Sequence, residues 1–162
     1  MVRWLVFIHI LSALTFFLAH GTSAAMAFQL RKEKDIERIK AMLDLSATTI
    51  ILMFISFLVL GISGLILPFL FHFWNTGWVW LSIVLMLFVF FWMVFMNERE
   101  YKKLRRLVGL PYMVGGKHLP AEPPASQEEI QAHLRSINVI QLVVIGFVIP
   151  AFVAWMMTFK PF

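Results

Sequence analysis

The sequence predicts an all-α fold, a polytopic membrane protein built as an antiparallel four-helix transmembrane bundle with both termini outside. Three observations carry that expectation. Residues 4–29, 46–72, 77–96 and 137–159 contain no Asp, Glu, Lys or Arg, and each run can cross a hydrocarbon core of about 30 Å at roughly 1.5 Å per helical residue. Twelve of the 14 Lys and Arg residues fall in two segments, 31–40 and 99–135, with only Arg3 and Lys160 elsewhere. By the positive-inside rule both segments are cytoplasmic, which an even number of spans satisfies without conflict. Trp4, Trp74, Trp78, Trp80 and Trp155 fall at the expected outer ends, where indole rings favour the headgroup region, and only Trp92 lies toward the inner side.

Composition agrees. Sixty per cent of the residues are apolar and 15% aromatic, and the mean hydropathy of +0.83 exceeds what a small water-soluble core needs. One transmembrane domain, 1–162, is implied, with cytoplasmic segments 30–45 and 97–136. The net charge of +5 does not indicate a nucleic-acid partner, because the cations sit beside spans where they set orientation. The absence of cysteine excludes disulfides, thiolate metal sites, thiol catalysis and thioether-linked haem.

The first run could be mistaken for a secretory signal, since Ala25-Met26-Ala27 resembles a small-residue cleavage site. Its leading end carries only Arg3, however, and the positive cluster follows the span, the reverse of a signal peptide. The first helix is therefore expected to be retained. Ile36, Ile39 and Leu43 repeat at helical spacing among charges, which predicts that this helix extends past the membrane or lies on its surface. Asp44 and Ser46 are candidate N-caps of the second span.

The third run continues into a charged stretch where Glu98 and Lys102 form an i,i+4 pair, and Gly109 and Pro111 end it. Residues 109–125, rich in glycine and proline, read as loop. Ser126 with Glu129 forms a capping box that restarts a helix leading into the last span. Small residues at Gly21, Ser23, Ala24, Ala25 and Ala27, and at Gly61, Ser63 and Gly64, suit close helix contact. Thr48, Thr49, Ser56, Asn138 and Gln141 are candidates for interhelical hydrogen bonds. Pro68 and Pro150 are expected to bend their helices.

Intramembrane ionisable residues are the functional candidates, because a polar ring in hydrocarbon needs a partner. His9 and His20 are eleven residues apart, about three full turns, so both point to one face at about 16 Å axial separation. His72 ends the second span at a depth that approaches His9. The cofactor expectation is a b-type haem held by His9 and His72 as iron ligands, with His20 a further candidate whose partner would be Met53 or Met93. The alternative is that each histidine bonds to a neighbouring helix. His118 and His133 belong to the charged segment, with no metal spacing between them. No Walker loop, dinucleotide glycine pattern, nucleophile elbow or His-Glu-x-x-His motif occurs, so no catalytic residue is nominated.

The opening Phe7-Ile8-His9-Ile10-Leu11-Ser12-Ala13, followed by small residues, resembles predicted integral membrane proteins of the copper-resistance D type over about the first 70 residues. That resemblance implies a helical bundle, with some relatives linked to copper import or to haem, and it carries over to His9 alone. The expected function is a non-catalytic accessory or electron-transfer subunit of an inner (plasma) membrane complex. Its partners would be the lipid bilayer, other membrane subunits or further copies of itself. A small metal or solute permease is the alternative from a different class, motivated by His9 and His20, and a quinone- or pigment-binding scaffold is a third.

Overall fold

A computed structural model of the chain describes residues 1–114 and 116–162, the side chains of 97 and 98 excepted. The expected Glu98–Lys102 pair lies outside the described residues. Helices α1 (Val2–Leu30) and α2 (Ile36–Phe71) are each continuous. Helix α3 (Gly77–Met96) passes through a π-helical turn, Asn97–Tyr101, into the short α4 (Lys102–Leu107). A two-stranded antiparallel ribbon follows, β1 (Tyr112–Val114) with β2 (Lys117–Leu119). The chain closes with α5 (Gln127–Ser136), α6 (Val139–Val143), a second π-helical turn Val144–Val148, and α7 (Ile149–Phe159).

Four of these helical stretches are long and apolar enough to cross a membrane: α1, α2, residues Gly77–Leu107 and residues Val139–Phe159. Their surfaces support a multi-pass membrane protein. Along α2, Ile51, Ile55, Leu58, Ile62, Leu65 and Phe69 are all exposed, and along α1 so are Trp4, Phe7, Leu11, Leu14 and Leu18. A stripe of large apolar side chains at helical spacing is costly in water and favourable against lipid. Trp74 and Trp80 meet at the end away from the two basic segments, where the Trp80 indole donates to the Trp74 carbonyl at 2.9 Å.

The spans pack as two pairs. Helices α1 and α2 make the most extensive contact in the molecule. His9 Nδ1 lies 2.9 Å from Ser63 Oγ, and Ser23 Oγ 2.9 Å from Thr49 Oγ1. The two bonds are equally spaced along both helices in opposite order, so the pair is antiparallel. Gly64 allows this approach, since a Cβ there would stand 3.1 Å from the His9 ring, whereas Gly61 faces open space. Helix α3 pairs with α7 through Trp78, Val79, Val153 and Met156. Between the two pairs the filling is by large side chains, Phe16, Met53, Val89 and Ile145, flanked by Phe57 and Trp92.

Beyond the basic ends of the spans lies a packed lobe. Leu30, Ile39, Leu43, Leu104, Val108, Ile130 and Leu134 form its core, drawn from α1, α2, α4 and α5. Gln131 Nε2 donates to the Glu33 carbonyl at 2.6 Å, and Arg105 Nη1 to Asp44 Oδ1 at 2.9 Å. Ile36, Ile39 and Leu43 thus belong to α2 rather than to an extension of α1. The N-cap is Asp35, whose carboxylate accepts from the backbone of Glu37 and Arg38, so Asp44 and Ser46 lie within the helix. The hydrophobic lobe explains the difference: buried on Leu104 and Leu134, these residues gain enough to carry the helix two to three turns past the bilayer.

The Ser126 cap forms as expected, accepting from the Glu129 amide at 3.2 Å. Helix α5 does not run into the last span. It stops at Ile137, and Asn138 caps α6 by accepting from the Gln141 amide at 3.0 Å. Residues 112–114 and 117–119, read as loop from composition, instead pair as the ribbon. The ribbon is tied back by Glu122, which accepts from the Tyr112 hydroxyl and, at 3.0 Å, from Arg106 Nε. Gly109, at φ +75°, turns the chain out of α4.

Candidate functional site

The histidines separate into different environments. His9, half-buried, is held by the hydroxyl of Ser63, which itself donates to the Val59 carbonyl at 2.6 Å. His72 is exposed and terminates α2 in the left-handed conformation, φ 57°. Its position follows Ser63 by nine residues, about 13 Å along the axis at helical rise, so the structure does not bring His72 to the depth of His9. The two rings do not flank a common point. Haem ligation by this pair therefore has no support in the geometry, and each residue has a local role instead: a helix-to-helix bond and a helix stop.

His133, in the charged segment, is buried against the π-helical turn, its Nε2 3.0 Å from the Glu100 carbonyl. His118 is exposed on β2. Among the described residues no three His, Asp or Glu side chains form a metal-binding group.

His20 is different from all of these. It is only 3% exposed, and neither ring nitrogen has a hydrogen-bond partner. The ring lies parallel to Phe16, 6.1 Å between centroids, with Phe147 on another side at 5.2 Å. The Leu142 carbonyl lies near the ring, yet no bond of normal geometry closes. Gly146 supplies the room the ring occupies, since a Cβ there would overlap the imidazole. Gly146 sits in the π-helical turn Val144–Val148, an irregularity of a kind often found at functional sites. The face of α1 carrying both histidines thus meets α2 at His9 and the last span at His20.

His20 lines a chamber of about 50 Å³ bounded by α1, α2, α3 and the last span. Ser23, Ser46, Tyr101, Trp92, Met53, Met93 and Met96 are among the other residues around it. The Trp92 N–H is buried and also without a partner. A buried amide-like or hydroxyl group left unpaired costs roughly 1–3 kcal/mol, and native proteins usually satisfy such groups with water, an ion or a ligand. A volume of about 50 Å³ holds on the order of four waters. A macrocycle needs several hundred Å³, so the chamber gives haem beside His20 no support, although Met53 and Met93 do line the same space.

On the tryptophan-rich side of His20, Phe57 stacks on Phe90 at 4.9 Å and Phe16 lies 5.9 Å from Phe57. On the lobe side, Tyr101 packs against Ala27, Ile137 and Val139. Compared with known protein families, with curated proteins and with solved structures, the chain matches none.

His20 was visible in the sequence as an ionisable group inside a span. Its surroundings were not. Gly146, Trp92 and Tyr101 come from distant parts of the chain, and the one available signal was a lone glycine in the last span, the counterpart that a bulky polar ring on α1 requires.

Proposed function

We propose that the protein is a small-solute permease of the inner (plasma) membrane, with the His20 chamber as its binding site and the basic lobe facing the cytoplasm. One observation carries the reading: a buried imidazole with no hydrogen-bond partner on either nitrogen lines a void among all four spans. Evolving or keeping such a group costs stability, which a bound solute offsets when it supplies the missing bonds.

The architecture is compatible with passage. The site is flanked by side chains, Phe16, Phe57 and Phe90 on one side and Tyr101 on the other. Large side chains change rotamer more readily than packed backbones separate. Sites of this kind, deep in the bundle and between helix pairs, are where transporters place their substrates.

The test is solute flux into proteoliposomes, followed by light scattering. Vesicles carrying the protein should equilibrate small polar solutes several-fold faster than empty ones, and His20→Phe, which fills the site without hydrogen bonds, should return the rate to that of empty vesicles. Equal rates for protein-bearing and empty vesicles would reject the permease.

A further inference from the structure

We infer that the solute is a small uncharged polar molecule, with hydrogen-bond acceptors and donors on about four non-hydrogen atoms. This rests on the reading of the His20 chamber as the binding site. The argument starts from the wall. Among its described lining residues there is no Asp, Glu, Lys or Arg. Glu100, in the π-helical turn Asn97–Tyr101, is already engaged, with Arg99 Nε at 3.2 Å and His133 Nε2 at 3.8 Å. An ion placed beside His20 would therefore lack a countercharge in a medium of low dielectric, where an unpaired charge costs several kcal/mol.

A neutral solute meets no such penalty, and the wall offers what it needs. The Trp92 indole is a donor only, so the solute must accept a hydrogen bond. A neutral imidazole presents one donor and one acceptor on opposite sides of the ring, so a molecule that can both donate and accept can bond to whichever His20 nitrogen it meets. Size sets the last limit: room for on the order of four waters admits water, formamide or urea and excludes rings and longer chains. The thioethers of Met53, Met93 and Met96 present soft, uncharged surface that packs against such a molecule. They are also the feature through which a soft monovalent cation would compete, and the experiment includes that case.

The experiment compares urea with guanidinium, which share planar shape and size and differ by one charge. Two readouts are taken on the reconstituted full-length protein: flux into vesicles, and the Trp92 emission obtained by subtracting the Trp92→Phe spectrum. Urea should cross at least tenfold faster than guanidinium and shift the Trp92 emission, with formamide behaving like urea. Ser46→Ala, a mild change in the chamber wall, should alter the urea rate while a Ser12→Ala control on the outer part of α1 leaves it unchanged.

Guanidinium crossing as fast as urea would overturn the inference while leaving the permease reading standing. Silver(I) shifting the Trp92 emission at micromolar concentration, with the response lost in Met93→Leu, would replace the neutral solute by a thioether-bound ion. No response to urea, formamide, guanidinium or silver in either readout would overturn the inference and the permease reading together.

Discussion

At the scale of single residues, the contrast between His9 and His20 organises the molecule. Both are imidazoles on one helix within an apolar run, yet one is paired with Ser63 and the other with nothing. Ser63→Ala removes the partner of His9 and should cost about 1–2 kcal/mol, read as a lowered melting temperature in detergent, because a partly buried ring nitrogen then stays unpaired. Gly146→Ala should cost more, about 1–3 kcal/mol, since a methyl group there must displace the His20 ring. The double variant His20→Ala/Gly146→Ala should recover part of that loss, which thermal unfolding of the four proteins would show. His72, at positive φ, should accept glycine with little change in stability.

The sequence made His9 and His20 visible because a polar residue in an apolar run stands out. It could not separate their roles, since Ser63 and Gly146 are indistinguishable from ordinary small packing residues until the helices are placed. His72 misled for a related reason: its distance from His9 depends on the register of α1 on α2, which only the contacts fix.

At the scale of elements, the spans were legible and their ends were not. Charge-free runs marked α1, α2, α3 and the last span to within a few residues in the bilayer, because lipid imposes one simple rule on every side chain there. Outside it, tertiary packing decides. The lobe extends α2 back to its cap at Asp35 and orders residues that composition assigns to loop. Asp35→Ala should cost about 1 kcal/mol, and Leu104→Ala, in the centre of the lobe, about 2–5 kcal/mol, both measurable by hydrogen exchange of α5 and the lobe-facing part of α2.

The ribbon carries a pH dependence of defined sign. The Tyr112 hydroxyl and then the Arg106 guanidinium hold Glu122 below its usual value of 4.5, and the same hydrogen bond raises Tyr112. A carboxyl with a lowered folded-state pKa contributes stability that is complete above its unfolded value and fades as pH falls through the folded one. Exchange of the β1 and β2 amides should therefore accelerate below about pH 4.5, and Glu122→Gln should abolish that acid dependence. An unchanged profile in Glu122→Gln would assign the effect elsewhere.

For the whole molecule, two tightly packed features, the α1–α2 pair and the lobe, frame a looser interior. The α3–α7 pair meets α1 and α2 through phenylalanine, methionine and tryptophan side chains, and the chamber lies in that seam. The proposed orientation, argued from the basic residues, has the lobe facing the cytoplasm. Lys117, exposed on β2, should react with a membrane-impermeant amine reagent only after cells are opened, whereas labelling of intact cells would invert the assignment.

The account stands or falls on what occupies the space between His20 and Trp92, and a high-resolution experimental map of the protein in a lipid nanodisc with urea present shows it most directly. The expected result is non-protein density within hydrogen-bond distance of a His20 ring nitrogen and of the Trp92 indole nitrogen. A chamber closed by its own side chains, with His20 bonded to the Leu142 carbonyl and no density beside it, would contradict it.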